Sequence, residues 1–483
     1  MASTTSTPFP KPPAADWVGS PRKFLLPLAL AQFICSFAGS NMNVMINDIS
    51  RDLNTTVKGV QTVITLFLLI MAILMIPGSK LTDKWGRKRC FRIGLLLYGV
   101  GAVLSAVSPG LPVLILGNSV FEGVGTALLI PPVYILTTLA FSDLTLRAKA
   151  FGAISALGGI GAATGPLIGG LITTAISWRA AFVFQAAVIA AIIVLSRGIK
   201  DPLEPDPDRP FDVLGAVLSG AGLFFLVFGI QQAQNDLALM AVLMALGAAF
   251  LVSFFAYTRH RERAGKEPLF SLSLFRNRVS DLGLITQNIQ WLLLMGITFV
   301  ASVYLQTVRD FNAIKTGVIF TALTAGVLVS SLGAERFAKR REQRTLIIAG
   351  FILTVAGIGL LLALVREAGS VWAFVPGLLV CGLGLGVMLT PSVNIVQSAF
   401  SEERQGEISG LSRSISNLGS SLGTAIAGTI LISDLASGNR SYVLAMVSLA
   451  ALALIGLGAA IALPHARPGE AQPAPASASA AAR

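Results

Sequence analysis

Long apolar runs follow one another from residue 24 to residue 463, each closed by a short polar or basic stretch. A helix needs about 20 mostly apolar residues to cross the hydrocarbon core of a bilayer, so the pattern predicts repeated membrane helices. The strands of a membrane barrel would alternate apolar and polar positions, and these runs do not. Spans are expected near 24–46, 60–78, 91–108, 111–139, 147–174, 178–196, 213–231, 237–257, 282–305, 314–333, 345–365, 371–391, 407–431 and 441–463, fourteen in all. The long fourth run carries Pro131-Pro132, which a bend within one span accommodates. Two of the intervening segments are longer than the rest. Residues 197–212 hold Pro202, Pro205, Pro207 and Pro210 among acidic residues and read as a stiff polar linker, and residues 259–278 are basic and contain Pro268.

Composition agrees. The chain is 54% hydrophobic and 12% charged, far too apolar for an ordinary soluble protein. With both termini placed in the cytoplasm, the cytoplasmic tails and loops hold 29 of the 36 Lys and Arg residues. The outside holds Arg51, Lys58, Arg179, Arg309, Lys315, Arg366 and Arg440. That is the bias of the positive-inside rule, and an odd number of spans would break it. Residues 1–23, rich in Pro, Ser, Thr and Ala, and residues 464–483, rich in Ala, Pro and Ser, are expected to be disordered cytoplasmic tails.

The net charge of +12 invites a nucleic-acid reading, but the charges lie in short loops and no basic stripe alternates with aromatics, so no nucleic-acid partner is expected. The bilayer is the expected partner. Cys35, Cys90 and Cys381 are isolated and predict no metal site or disulfide framework. His260 and His465 fall in expected cytoplasmic segments, which argues against a histidine proton relay. No Gly-x-x-x-x-Gly-Lys-[Ser/Thr] loop is present, so neither an ATP engine nor a cofactor is expected.

Between the second and third runs lies Gly78-Ser-Lys-Leu-Thr-Asp83-Lys-Trp-Gly86-Arg87-Lys-Arg89, a short basic hairpin. The fifth run carries Gly158-Gly-Ile-Gly161-Ala-Ala-Thr-Gly165-Pro166-Leu-Ile-Gly169-Gly170. Its Gly161, Gly165 and Gly169 are four apart and form a small-residue face for close helix packing, while Pro166 removes a backbone donor. The hairpin resembles the loop between the second and third helices of major facilitator superfamily transporters. The fifth run is similar to the Gly-Pro-x-x-Gly-Gly signature of that superfamily's antiporters. Trp178-Arg179, Phe211-Asp212-Val-Leu-Gly215, Pro268-Leu269, and Gly410, Asn417, Gly419, Gly423 and Gly428 are similar, in order, to landmarks of its fourteen-helix drug/proton antiporter branch.

The resemblance implies an all-α, polytopic fold of 14 transmembrane helices. It divides the chain into a first six-helix bundle (24–196), a linker region (197–281) with two extra helices (213–231 and 237–257), and a second six-helix bundle (282–463). It implies that Gly78, Asp83, Gly86 and Arg87 latch the two halves on the cytoplasmic side, and that Gly161, Gly165, Pro166, Gly169 and Gly170 form the antiporter-motif helix. A degenerate copy of the hairpin, Gly333-Ala-Glu335-Arg336-Phe-Ala-Lys339-Arg340-Arg341, occupies the matching place in the second bundle.

The chain departs from the branch at two positions. Asn41 stands where an acid is usual in the first helix, and Asn118 where an Arg is usual in the fourth. An amide pair can satisfy itself by hydrogen bonding, whereas a lone buried charge is expensive. If protons are coupled, another acid carries them. Glu122, inside a span, is the first candidate; Asp48, two turns beyond Asn41 on an ideal helix, is next, followed by Asp281 and Glu407 at span ends. Candidates for the substrate cavity are Asn41, Asn118, Glu122, Gln287, Asn288, Gln290, Trp291, Asn394, Gln397 and Asn417, although Gln287, Asn288 and Gln290 cannot share one helical face. Trp291 suits an aromatic ligand, and Glu122 would favour a cationic one.

The expected function is export of amphipathic or cationic organic small molecules by alternating access, coupled to protons, in a bacterial inner membrane with both termini cytoplasmic. The alternative is an uncoupled or differently coupled lipid or metabolite carrier of the same fold. A membrane enzyme or non-transporting receptor finds no nucleophile–base pair and no metal-ligand cluster to support it.

Overall fold

A computed structural model describes residues 20–141, 144–201, 203–233, 235–338, 342–367, 371–400, 404–432 and 439–464. Among them are fourteen helices long and apolar enough to cross a membrane. They are α1 (Pro21–Asp52), α2 (Val57–Trp85), α3 (Arg87–Ala106), α4 (Leu111–Ala140), α5 (Lys149–Ala175), α6 (Trp178–Gly198), α7 (Val213–Gln232), α8 (Leu237–Arg263), α9 (Arg278–Val308), α10 (Ala313–Gly333), α11 (Gln343–Leu364), α12 (Phe374–Ser398), α13 (Glu407–Ile432) and α14 (Asn439–Ile461). Helices are what lipid demands, because each satisfies its own backbone. Their starts are fixed by side-chain caps where the connections are polar: Thr56 accepts from the Gly59 N–H, Ser177 from Ala180, Asp236 from Ala238 and Leu239, and Asn277 from Val279 and Ser280. The expected tails lie almost wholly outside the described residues, as do Lys339, Arg340 and Arg341 of the degenerate hairpin, and His465.

The packing repeats with an offset of eight helices. In the first group, α1 packs on α5 and α6, and α4 on α2 and α3, with α3 also on α6; in the second, α9 packs on α13 and α14, and α12 on α10 and α11, with α11 also on α14. The groups meet along two seams, α2 with α13 and α5 with α10, and the same offset exchanges one seam for the other. This is the geometry of a duplicated helix bundle. Helices α7 and α8 pair with each other, and α7 leans on α2 and α13. Only 11% of the α8 window is buried by protein, so this pair sits outside the bundle, toward lipid.

Two local departures from ideal helix matter. A 3-10 turn, Met42–Met45, interrupts α1. It changes the register beyond Asn41, which is fully buried, and leaves Asp48 exposed; the seven-residue spacing does not put the two in one environment. In α4 the stretch Ile115–Glu122 is a π-helix, whose wider turn ends on Glu122. Both Pro131-Pro132 in α4 and Pro166 in α5 stand inside helices that continue past them.

Candidate functional site

The glycine face of α5 seats that helix on α1. A Cβ at Gly161 would fall 2.2 Å from the Phe33 carbonyl oxygen, and one at Gly169 would fall 2.9 Å from the Asn41 Cβ, so a methyl group has no room there. The neighbouring Gly170 faces the other group, with a Cβ position 2.5 Å from the Ala313 carbonyl oxygen. Pro166 lies on the same seam, where its carbonyl oxygen would be 2.3 Å from a Cβ at Gly317 of α10. One helix thus holds α1 on one side and the second group on the other.

Asn41 and Asn118 do not pair. Asn118 Nδ2 donates to Glu122 Oε2 at 3.1 Å along the same helix, and Ser105 Oγ of α3 donates to Glu122 Oε1 at 3.3 Å. Both side-chain polar atoms of Asn41, and Asn118 Oδ1, are buried without a partner among the described residues. Glu122 is fully buried and packs on Gly101 of α3, where a Cβ would come within 2.8 Å of its Cγ. No Lys or Arg among the described residues forms an ion pair with it. The acid therefore sits inside the first helix group, turned toward α3. Asp281 lies half-buried in the first turn of α9, with one carboxylate oxygen unpartnered among the described residues. Glu407 accepts from the Ser271 N–H at 2.6 Å and pairs with Arg404 at 3.4 Å, which makes it a helix-start anchor.

The polar run of α9 is spent on neighbours. Gln287 accepts from Ser412 at 3.0 Å and donates to Ser416 at 2.9 Å, and Asn288 donates to the Ile415 carbonyl at 2.9 Å, all on α13. Gln290 donates to the Leu385 carbonyl of α12 at 3.1 Å and keeps one buried oxygen without a partner. Trp291, Asn394 and Asn417 are half-buried, Gln397 donates to Ser409 at 3.3 Å, and Asn417 Nδ2 is buried and unpartnered among the described residues.

At the end where α1 begins, Asp83 accepts from Arg87 at 2.7 Å, an i,i+4 pair across the hairpin, and from Arg209 of the linker at 2.9 Å. Gly86 adopts φ +89°, a conformation that disfavours any side chain, and a Cβ there would press 3.2 Å from Pro205. Asp201 then accepts from the Arg87 and Lys88 N–H groups at 2.6 and 3.2 Å. The proline-rich linker is therefore a strap laid over the hairpin. It continues through Arg209 to Glu267, which also accepts from Lys80 at 2.7 Å. Burial alone would raise the Glu267 carboxyl, but the Lys80 hydrogen bond, with the Lys80 and Arg209 charges, holds it below the ordinary carboxylate value. The same loop reaches the second group, since Ser271 donates its N–H to Glu407 of α13. Asp83 and Arg87 thus engage the linker, and the link to the second group runs through the loops of the inserted pair.

Sequence reasoning missed the bonds between the groups. At the end away from the hairpin, Gln306 of α9 donates to the Asn43 carbonyl at 2.8 Å and accepts from the Asn47 N–H at 3.0 Å, and Ser302 also donates to Asn43. Along one seam, Gln61 of α2 donates to the Thr424 and Ala425 carbonyls at 3.1 and 3.2 Å, and Ser421 donates to Thr65 at 3.0 Å. Toward the hairpin end, Arg413 of α13 donates to the Tyr134 hydroxyl of α4 and lies over its ring at 5.2 Å, and Tyr134 donates to Gln32 of α1 at 3.3 Å. Arg413, one of the 29 cations expected in cytoplasmic tails and loops, lies inside α13. Removing it leaves the charge bias intact.

Comparison with known proteins agrees with this architecture. The chain is 29% identical over 417 residues to the puromycin resistance protein pur8 of Streptomyces alboniger, covering 85% of this chain and 82% of that one. It is 26% identical to the multidrug efflux pump LfrA of Mycolicibacterium smegmatis, covering 89% and 82%. The crystal structure of a peptide transporter POT in complex with sulfate superposes with a TM-score of 0.67 at 16% identity, over 94% of this chain and 97% of that one, a likeness of fold. The Major Facilitator Superfamily profile matches residues 28–424. The chain, a polytopic all-helical integral membrane protein, belongs to the major facilitator superfamily and is a transporter of small molecules, not an enzyme.

Proposed function

We propose that this transporter exports amphipathic organic molecules from a bacterial cell in exchange for protons, rocking its two helix groups about the α2–α13 and α5–α10 seams. The observation that carries the reading is Glu122: a fully buried acid with no ion-pair partner among the described residues, held by two donors in the half of the protein that lacks the branch's usual acid. Buried carboxyl groups in membrane helices mark proton and substrate pathways. The names of the relatives, a puromycin resistance protein and a multidrug efflux pump, support export, and both come from bacteria. The bias of Lys and Arg supports a cytoplasmic side for the hairpin, the linker and both termini, in a bacterial inner membrane. With the seams bonded at the opposite end, Gln306 to Asn43 closes the outside, and the hairpin and its strap latch the inside.

The paired departures at Asn41 and Asn118 favour a second reading, an uncoupled lipid or metabolite carrier. The two readings separate in cells. Expressed in a bacterium lacking its own pumps, the exporter lowers steady-state ethidium or carboxyfluorescein content, and a protonophore restores it. Dye content that equilibrates faster but is never held below the outside level would favour the uncoupled carrier.

A further inference from the structure

Arg413 stands six residues past Glu407 at the start of α13, about 9 Å along the helix by its rise of 1.5 Å per residue. A cation at that depth is costly unless paired. Among the described residues no carboxylate lies within ion-pair distance of Arg413. Its hydrogen-bond and cation–π partner among the described residues is Tyr134, which belongs to the other helix group and is in turn bonded to Gln32. A cation–π contact and one neutral acceptor compensate only part of the lost hydration. One turn further, at the i+4 position of the same face, Asn417 Nδ2 is a second buried donor without a partner among the described residues. Glu122, also embedded, does not pair with Arg413: its carboxylate accepts from Ser105 and Asn118 and packs on Gly101 of α3.

We propose that the cargo carries an acidic group, a carboxylate or its equivalent, and that Arg413 is its counter-ion, assisted by Asn417. The inference rests on the exporter reading and reverses the cationic preference expected from Glu122. When the groups part at the hairpin end, the guanidinium exchanges the Tyr134 hydroxyl for an anion it can grip with two parallel N–H bonds. The amphipathic remainder of the cargo meets the surrounding apolar helices. Arg413 is then both gate and specificity determinant: the neutral phenol holds it when the site is empty, and the cargo's charge releases that hold.

The test is binding by the full chain in neutral phosphatidylcholine nanodiscs of two dyes on one xanthene scaffold, anionic carboxyfluorescein and cationic rhodamine 6G. Carboxyfluorescein is expected to bind at least about tenfold more tightly, the worth of one charge-assisted pair. Arg413→Gln removes that preference and leaves rhodamine 6G within about threefold. Arg413→Lys, which keeps the charge without the planar fork, retains part of it. If Arg413→Gln does not fold, the native preference and the Arg413→Lys decrease still decide. A native preference for rhodamine 6G, equal binding of the two, binding of neither, or unchanged carboxyfluorescein binding in Arg413→Gln would overturn the proposal. Loss of carboxyfluorescein binding when phosphatidylglycerol is added would also overturn it, by assigning the site to lipid headgroups. Arg413-dependent binding without transport in proteoliposomes would leave the anion site standing and remove the exporter reading.

Discussion

Glu122→Gln abolishes uphill dye transport driven by a pH gradient, bringing it to the level of protein-free liposomes, while dye exchange across the same membrane without a gradient continues. The substitution is nearly isosteric, and the site can absorb it. Asn118 donates to Glu122 at 3.1 Å, and its own Oδ1 is buried and unpartnered among the described residues. Rotation of the Asn118 amide presents that oxygen to the introduced N–H₂, while Ser105 keeps an acceptor. The expected stability change is therefore small, within about 1 kcal/mol, and the lost property is the exchangeable proton alone. Retained uphill transport in Glu122→Gln would assign proton coupling to another group, with Asp281 the next embedded candidate because its Oδ1 is buried without a partner among the described residues. Asp48, exposed beyond the 3-10 turn, is not expected to matter.

Asp83→Asn is expected to produce the second large effect. It removes one carboxylate from two arginines at once, at 2.7 Å from Arg87 and 2.9 Å from Arg209. Arg87 is only 8% exposed and its Nε is already buried without a partner, so the loss leaves a largely buried guanidinium without its acid. Breaking a fully buried pair in this way costs about 3–5 kcal/mol. The Asp83 side chain is 26% exposed, which screens part of it, so about 1–3 kcal/mol is the expected loss. A thermal unfolding series in detergent reads it, and transport should fall with it as the strap lifts from the hairpin. In a double-mutant cycle with Arg209→Gln the coupling should be about 0.5–3 kcal/mol. Additive effects would mean that the strap and the hairpin are independent.

Helix number and order were legible in the sequence because lipid imposes a length and a composition on each span, and α1 through α14 follow the apolar runs within several residues. The hairpin and the α5 glycine face were legible for a related reason. Gly86 at φ +89° and Gly161 against the Phe33 carbonyl are positions where only one residue type fits, so spacing alone marks them. Partner choice was not legible. Asp83 reads as a latch residue, but nothing in its own segment says that Arg209, more than a hundred residues later, will meet it. The same holds for Gln287 and Asn288, whose polarity marks an interior face without saying that α13 consumes it. Arg413 was hidden by its distance from the end of the run, which let it pass for a loop cation. The serines of α13 carried an unused signal: Ser412 and Ser416, four apart, face Gln287, whereas Ser414 and Ser421, seven apart, bond Ala72 and Thr65 across the seam. The 3-10 turn at Met42–Met45 had no sequence mark, and it alone undid the reasoning that paired Asp48 with Asn41.

The most direct test of proton-coupled export is proton movement driven by cargo. Native protein in proteoliposomes with pyranine trapped inside is given an outward or inward gradient of carboxyfluorescein, rhodamine 6G or ethidium, with no imposed pH difference. Antiport predicts that at least one dye moves protons against its own direction, that the sign of the pH change reverses with the dye gradient, and that Glu122→Gln silences it. Dye flux of normal rate with no pH change in either direction would contradict the account and leave an uncoupled carrier.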